Sequence, residues 1–250
     1  MAIACRVAGY WLTTLQSGGI LLNLGHVSVR IPGKRLFLVP GRRKSGDLLL
    51  TTSAADVITA DFDGRLVEGS RGVIPPAEAK IHSWLYKTRD DVAAVCHLHP
   101  HYSVLSGVLG LEPKPMCNEG IDMFPVRIFP NNALITTDAL GKGVAEAMKG
   151  ATMCILRGHG IVTTGETPEI AVWRAMLLEE QARLNVLARM ASGEGYPGIP
   201  QDQVKEFVDH INELVRLAKK TGEPLPRQLF HNELWLHFVR QSEKYRRQAA

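Results

Sequence analysis

The chain has 250 residues, 45% hydrophobic and 22% charged, enough to bury a substantial core in one large domain or two small ones. A net charge of +4 without a clustered basic stripe or interleaved aromatics sets aside nucleic acid and fits an anionic small molecule. No run approaches the roughly 18 apolar residues of a membrane helix, and Arg6, Thr13, Thr14, Gln16 and Ser17 break any signal-peptide core.

In chain order, residues 2–17 read as an opening helix closed by Ser17-Gly18-Gly19. Residues 25–31 and 35–39, joined at Pro32-Gly33, carry a hairpin signature. The loop from Pro40 to Gly46 holds Arg42, Arg43 and Lys44. Thr52-Ser53 caps a short helical turn, and residues 57–60 and 65–67 form a second hairpin through Asp63-Gly64. Pro75-Pro76 opens a helix running to about Thr88. On it Glu78 and His82, four residues apart, are neighbours.

Ala93 to Val95 then begins a buried strand that runs into Cys96-His97-Leu98-His99. Strand side chains alternate between faces, so His97 and His99 share one face and make half of a metal site. A helix follows from Tyr102 to Leu109. Residues 126–129 read as a strand, and 138–148 as a helix capped by Asp138. Residues 152–156 and 161–164 are strands flanking Arg157-Gly158-His159-Gly160. Taken alone, His159 is a turn histidine. With His97 and His99 it gives three nitrogens and an open fourth position, the pattern of a catalytic divalent site. His101, beyond Pro100, leaves the shared face.

A long helix from Pro168 to about Met190 is followed, past the connector 193–200, by helical segments at 202–220 and 230–247. The expected fold is a three-layer α/β/α arrangement around a mainly antiparallel sheet. Expected units are residues 1–195 as the catalytic domain and 196–250 as a helical extension packed on it. Cys5, Cys96, Cys117 and Cys154 are scattered, which favours a reduced, cytoplasmic protein.

The set G-H-V-S-V-R (25–30), P-A-E (76–78), H-L-H (97–99) and R-G-H-G (157–160) resembles the class II aldolase/adducin family over roughly residues 5–190. The resemblance implies that His97, His99 and His159 bind a divalent metal ion. Zinc, manganese, cobalt, iron and magnesium stay open. It gives Glu78 the acid/base role, and it implies a homotetramer with active sites at subunit interfaces. The sugar-phosphate aldolases of that family carry G-N-x-S, T-P-[ST]-G and S-S-E, whose small polar groups hold phosphate. Here those stretches read Gly25-His26-Val27-Ser28, Val39-Pro40-Gly41 followed by Arg42-Arg43-Lys44, and Pro76-Ala77-Glu78.

The departures look like the branch that decarboxylates hydroxylated aromatic dicarboxylates in aromatic compound catabolism. The expected enzyme is a metal-dependent carbon–carbon lyase, with His26, Ser28, Arg42 and Arg43 binding an anionic substrate. The alternatives are an aldolase or epimerase for a sugar, sugar phosphate or hydroxy-keto acid, and a non-catalytic adducin-like module.

Overall fold

In the computed structural model, which describes residues 1–15, 24–42, 49–223 and 226–248, helix α1 (Ala2–Leu15) precedes a four-stranded meander. Strand β1 (Gly25–Arg30) turns through Pro32-Gly33 into β2 (Leu36–Pro40), and β3 (Val57–Asp61) turns through Asp63-Gly64 into β4 (Leu66–Glu68). Every neighbouring pair in this meander is antiparallel. The turn before β3 is pinned by Ser53, whose N–H and Oγ–H both donate to Asp56 Oδ2, at 2.8 and 2.6 Å. The helix end expected at Ser17-Gly18-Gly19 lies outside the described residues.

The second half alternates helices and strands: α2 (Ala79–Thr88), β5 (Ala94–Leu98), α3 (His101–Leu109), β6 (Val126–Phe129), α4 (Asp138–Ala147), β7 (Met153–Leu156), β8 (Gly160–Gly165) and α5 (Pro168–Ser192). All eight strands join one sheet in the order β4-β3-β2-β1-β5-β8-β7-β6. Among the described residues only β6 and β7, linked through α4, pair in parallel, so the sheet is mainly antiparallel as expected.

Strand alternation builds two cores. Ala94, Cys96 and Leu98 of β5 face a layer containing α1 and α5, with Val7, Trp11, Val172 and Leu178. Val95 faces α2 and α4, with Ile81, Leu85, Val144 and Met148. His97 follows Val95 onto the α2 face, which is how a strand delivers a ligand towards a helix start.

Two helix starts differ from expectation. The prolines at 75 and 76 lead into a turn at Ala77-Glu78 rather than being the first helical residues, with Ala79 N–H donating to Pro76 O at 3.0 Å. Helix α2 therefore begins one residue after Glu78. Helix α4 is capped by Thr137, whose side chain accepts from Leu140 N–H, and not by Asp138. Asp138 instead takes both oxygens to Lys80 Nζ at 2.9 Å.

Beyond the sheet lie α6 (Gln201–Thr221) and α7 (Pro226–Gln248). Among the described residues no helix is long and apolar enough to cross a membrane.

Candidate metal centre

Three separate elements bring four side chains together. His97 is the next-to-last residue of β5 and His99 stands just beyond the strand, while His159 sits at the tip of the β7–β8 hairpin. Glu78 occupies the N-cap position of α2 but makes no capping bond with its side chain. One ligand atom from each of Glu78, His97, His99 and His159 lies within 4.8 Å of all the others. Glu78 Oε2 is 3.5 Å from His97 Nε2, and Glu78 Oε1 is 3.3 Å from His159 Nε2.

The two glycines beside His159 serve different ends. Gly158 has φ +64°, the left-handed conformation that turns the hairpin tip. Gly160 is needed for space: a Cβ there would lie 2.5 Å from the Leu98 carbonyl oxygen, 2.8 Å from the His99 ring and 3.2 Å from the His97 ring.

The fit to a metal ion can be tested on the nitrogens themselves. His97 Nδ1 lies 2.8 Å from Ile161 O and His99 Nδ1 lies 2.9 Å from Leu24 O. Carbonyl oxygens only accept, so both rings carry their proton on Nδ1 and turn an Nε2 lone pair inward. His97 Nε2 and both ring nitrogens of His159 are buried without a hydrogen-bond partner. A buried polar group left unpaired costs about 1–3 kcal/mol. The two orphaned Nε2 atoms of His97 and His159, converging on the Glu78 carboxylate at 3.5 and 3.3 Å, therefore fit a divalent cation well. Burial, then the neighbouring His97, pushes His99 down to about 3, which keeps that ring neutral and able to ligate.

Glu78 is 9% exposed. Burial acts to raise its carboxyl, but His159, His97 and the Ile135 N–H outweigh it and hold the group well below the usual carboxylate range. Ile135 N–H donates to Oε1 at 2.8 Å, so one oxygen is tied to the backbone.

The substrate-side expectations divide. His26 pairs across strands with His97 and packs beside it, ring centroids 5.1 Å apart. Arg42 is half-buried and donates to Gly25 O at 2.8 Å, next to His26. Ser28 is fully buried, its hydroxyl engaged by His82 Nδ1 at 2.6 Å and Tyr86 Oη at 2.7 Å. His82 Nε2 in turn lies 2.5 Å from His26 Nδ1. Burial pushes His82 down to about 3 and His26 well below its ordinary value, with His82, His97 and Arg42 adding to the effect on His26. Arg43 and Lys44 lie outside the described residues. His101 is exposed on α3 and is not among the four clustered side chains.

Sequence reasoning missed Tyr86, the Ile135 amide and Glu179. Tyr86 had a signal, because it follows His82 by four residues on one face of α2, as His82 follows the N-cap Glu78. Glu179, on α5, accepts from Tyr102 N–H, Ser103 N–H and Ser103 Oγ–H at 2.9, 2.8 and 2.7 Å. It thereby caps the helix that follows His99, and no local motif announces it.

Residues 6–186 match the family model described as the Class II Aldolase and Adducin N-terminal domain. A 3,4-dihydroxyphthalate decarboxylase from Terrabacter sp. strain DBF63 is 32% identical over 84% of this chain and 87% of its own. An L-fuculose phosphate aldolase from Methanocaldococcus jannaschii is 27% identical over 65% of this chain and 84% of its own. Among solved structures, an aldolase II superfamily protein from Pseudomonas syringae superposes with a TM-score of 0.75. It is 20% identical, with 98% of this chain and 92% of that one covered.

Proposed function

The chain belongs to the class II aldolase and adducin family, and we propose that within it the protein is a divalent-metal-dependent carboxy-lyase for a hydroxylated aromatic dicarboxylate. The observation that carries this reading is the convergence of Glu78 with the unpaired, buried nitrogens of His97 and His159. The likeness to 3,4-dihydroxyphthalate decarboxylase over 84% of the chain supports the substrate class.

In this reading His97, His99 and His159 hold the ion, and zinc or manganese, cobalt, iron or magnesium fills the site. A divalent ion there supplies Lewis-acid polarisation of a substrate oxygen. Arg42 and His26 orient the substrate's carboxylates, and the Arg42 guanidinium suits a planar carboxylate by its forked donors. When the carbon–carbon bond breaks, its electron pair stays on the ring carbon and the carboxylate leaves as CO₂. Glu78, an ionised carboxylate at rest, takes up the proton of a substrate phenol hydroxyl and passes it to that carbon, so the product leaves as the phenolate. Its Oε2, not tied to the backbone, is the oxygen placed to carry it, and the Ile135 N–H steadies Oε1.

Residues 1–195 form the catalytic unit and 196–250 an extension packed on it. Support comes from Arg6, which joins α1 to α7 through Glu243 at 2.5 Å, and from Trp235, Phe238 and Val239 packed on the α1 core. The protein works in the cytoplasm as a homotetramer. Exposed Leu105, Val108 and Leu109 on α3 support a subunit contact there.

The test follows CO₂ release and product mass with 3,4-dihydroxyphthalate, beside retro-aldol cleavage of L-fuculose 1-phosphate. Release of CO₂ from the diacid is expected. Aldol cleavage without decarboxylation would replace this reading by the aldolase one, which the Methanocaldococcus jannaschii relative keeps in view.

A further inference from the structure

Resting on the carboxylate-substrate reading above, we infer that Ser28, His82 and Tyr86 are positioning residues that fix His26 as a neutral Nε2–H donor to a substrate oxygen. The four side chains make one unbranched line. Tyr86 Oη is 2.7 Å from Ser28 Oγ, which is 2.6 Å from His82 Nδ1, and His82 Nε2 is 2.5 Å from His26 Nδ1. Each contact has room for one proton; Ser28 accepting from both sides would strand its own proton in a fully buried residue, so the line runs in one of two directions.

In one direction His26 Nδ1–H donates to His82, His82 Nδ1–H to Ser28, and Ser28 to Tyr86. The Tyr86 proton is then left without an acceptor in a residue 1% exposed. The other polar group at that oxygen is the Val95 backbone N–H, which is itself a donor. In the opposite direction Tyr86 donates to Ser28, Ser28 to His82 Nδ1, and His82 Nε2–H to His26 Nδ1. Every donor inside the core is then satisfied, so this direction wins.

The consequence falls on His26. Its Nδ1 must accept, so its single proton sits on Nε2. No described group takes a hydrogen bond from that nitrogen, and the ring packs beside His97 with 3% of its surface open. Phe37 stacks on His82 at 6.1 Å and holds the relay ring in place. His26 thus presents a donor, and never a lone pair, to a carboxylate or phenolate oxygen of the substrate. Ser28, expected to touch substrate, acts one step behind it.

The experiment is nitrogen NMR of zinc-loaded protein labelled with ¹⁵N-histidine, with the two rings assigned through His26→Gln and His82→Gln. Both rings should be protonated on Nε2 alone. Tyr86→Phe should keep that pattern, because Ser28 remains the donor to His82. Ser28→Ala removes the donor and should mix the tautomers of both rings. It should also raise KM for 3,4-dihydroxyphthalate roughly tenfold at unchanged zinc content. A His26 ring protonated on Nδ1 in the unaltered protein overturns the inference, and so does Ser28→Ala with unchanged tautomers. If Ser28→Ala does not fold, the unaltered and Tyr86→Phe spectra decide. The tautomers are read without substrate, so absence of CO₂ release would count against the carboxy-lyase reading alone.

Discussion

His26 and His97 are cross-strand partners on β1 and β5, with rings 5.1 Å apart and inclined by 38°. Directly opposed strand residues are held at a nearly fixed Cβ separation. The candidate ligand and its donor neighbour are therefore spaced by backbone pairing and not by loop flexibility. A one-residue slip of β1 would turn His26 to the opposite face and set Val27 or Gly25 opposite His97.

Stripping with a chelator and reloading with zinc or manganese should raise Tm. At an ion concentration 100 times Kd the stabilisation is about 2.7 kcal/mol. His159→Ala should lose stoichiometric metal in elemental analysis while its circular dichroism spectrum persists. Full metal content in that variant would remove His159 from the ligand set.

Glu78→Gln preserves an acceptor for the Ile135 N–H but cannot cycle a proton. Turnover should fall by ~10²–10⁴-fold with metal retained. Near-normal turnover would demote Glu78 to a packing role.

The two glycines beside His159 should separate. Gly158→Ala places a side chain in the left-handed region at φ +64°, with its nearest foreign atom 3.5 Å away. It should cost about 1–2 kcal/mol of stability and leave metal affinity close to normal. Gly160→Ala drives a methyl group into the Leu98 carbonyl between the two β5 histidines and into the His99 ring, and should weaken metal binding as well. Calorimetric metal titration distinguishes them, and equal metal affinities would refute the assignment of space to Gly160.

Glu179→Ala leaves the Tyr102 and Ser103 donors at the start of α3 without their buried carboxylate. A loss of about 3 kcal/mol in urea unfolding is expected. A loss below about 1 kcal/mol would mean that water replaces the carboxylate at little cost.

What was legible in the sequence was local. The H-x-H of β5 and the glycine-flanked His159 announce themselves within a few residues, and strand alternation fixes which way His97 turns. Pro75 and Pro76 misled because proline also suits the turn before a helix, and here that turn sets Glu78 at the N-cap. Asp138 looked like a cap because Thr137 offers the same kind of oxygen one residue earlier. The buried line through Ser28 and Tyr86 joins residues 58 apart, and Glu179 reaches back 76 residues to Ser103. Only the assembled sheet and helices bring such pairs within bonding distance.

The strand order also has a kinetic meaning. Strands β1 to β4 pair as sequence neighbours, so the longest connection this half closes is the one from Pro40 to Val57. The β1–β5 and β5–β8 pairings join segments about 70 residues apart, such as His26 with His97 and His97 with Val162. Loop-closure entropy makes such long-range joins the slow ones. The histidines sit along that seam, so a folding chain acquires its ion-binding pocket only after its two halves have met. Ion uptake during refolding should lag behind strand formation in the meander and report when the seam has closed.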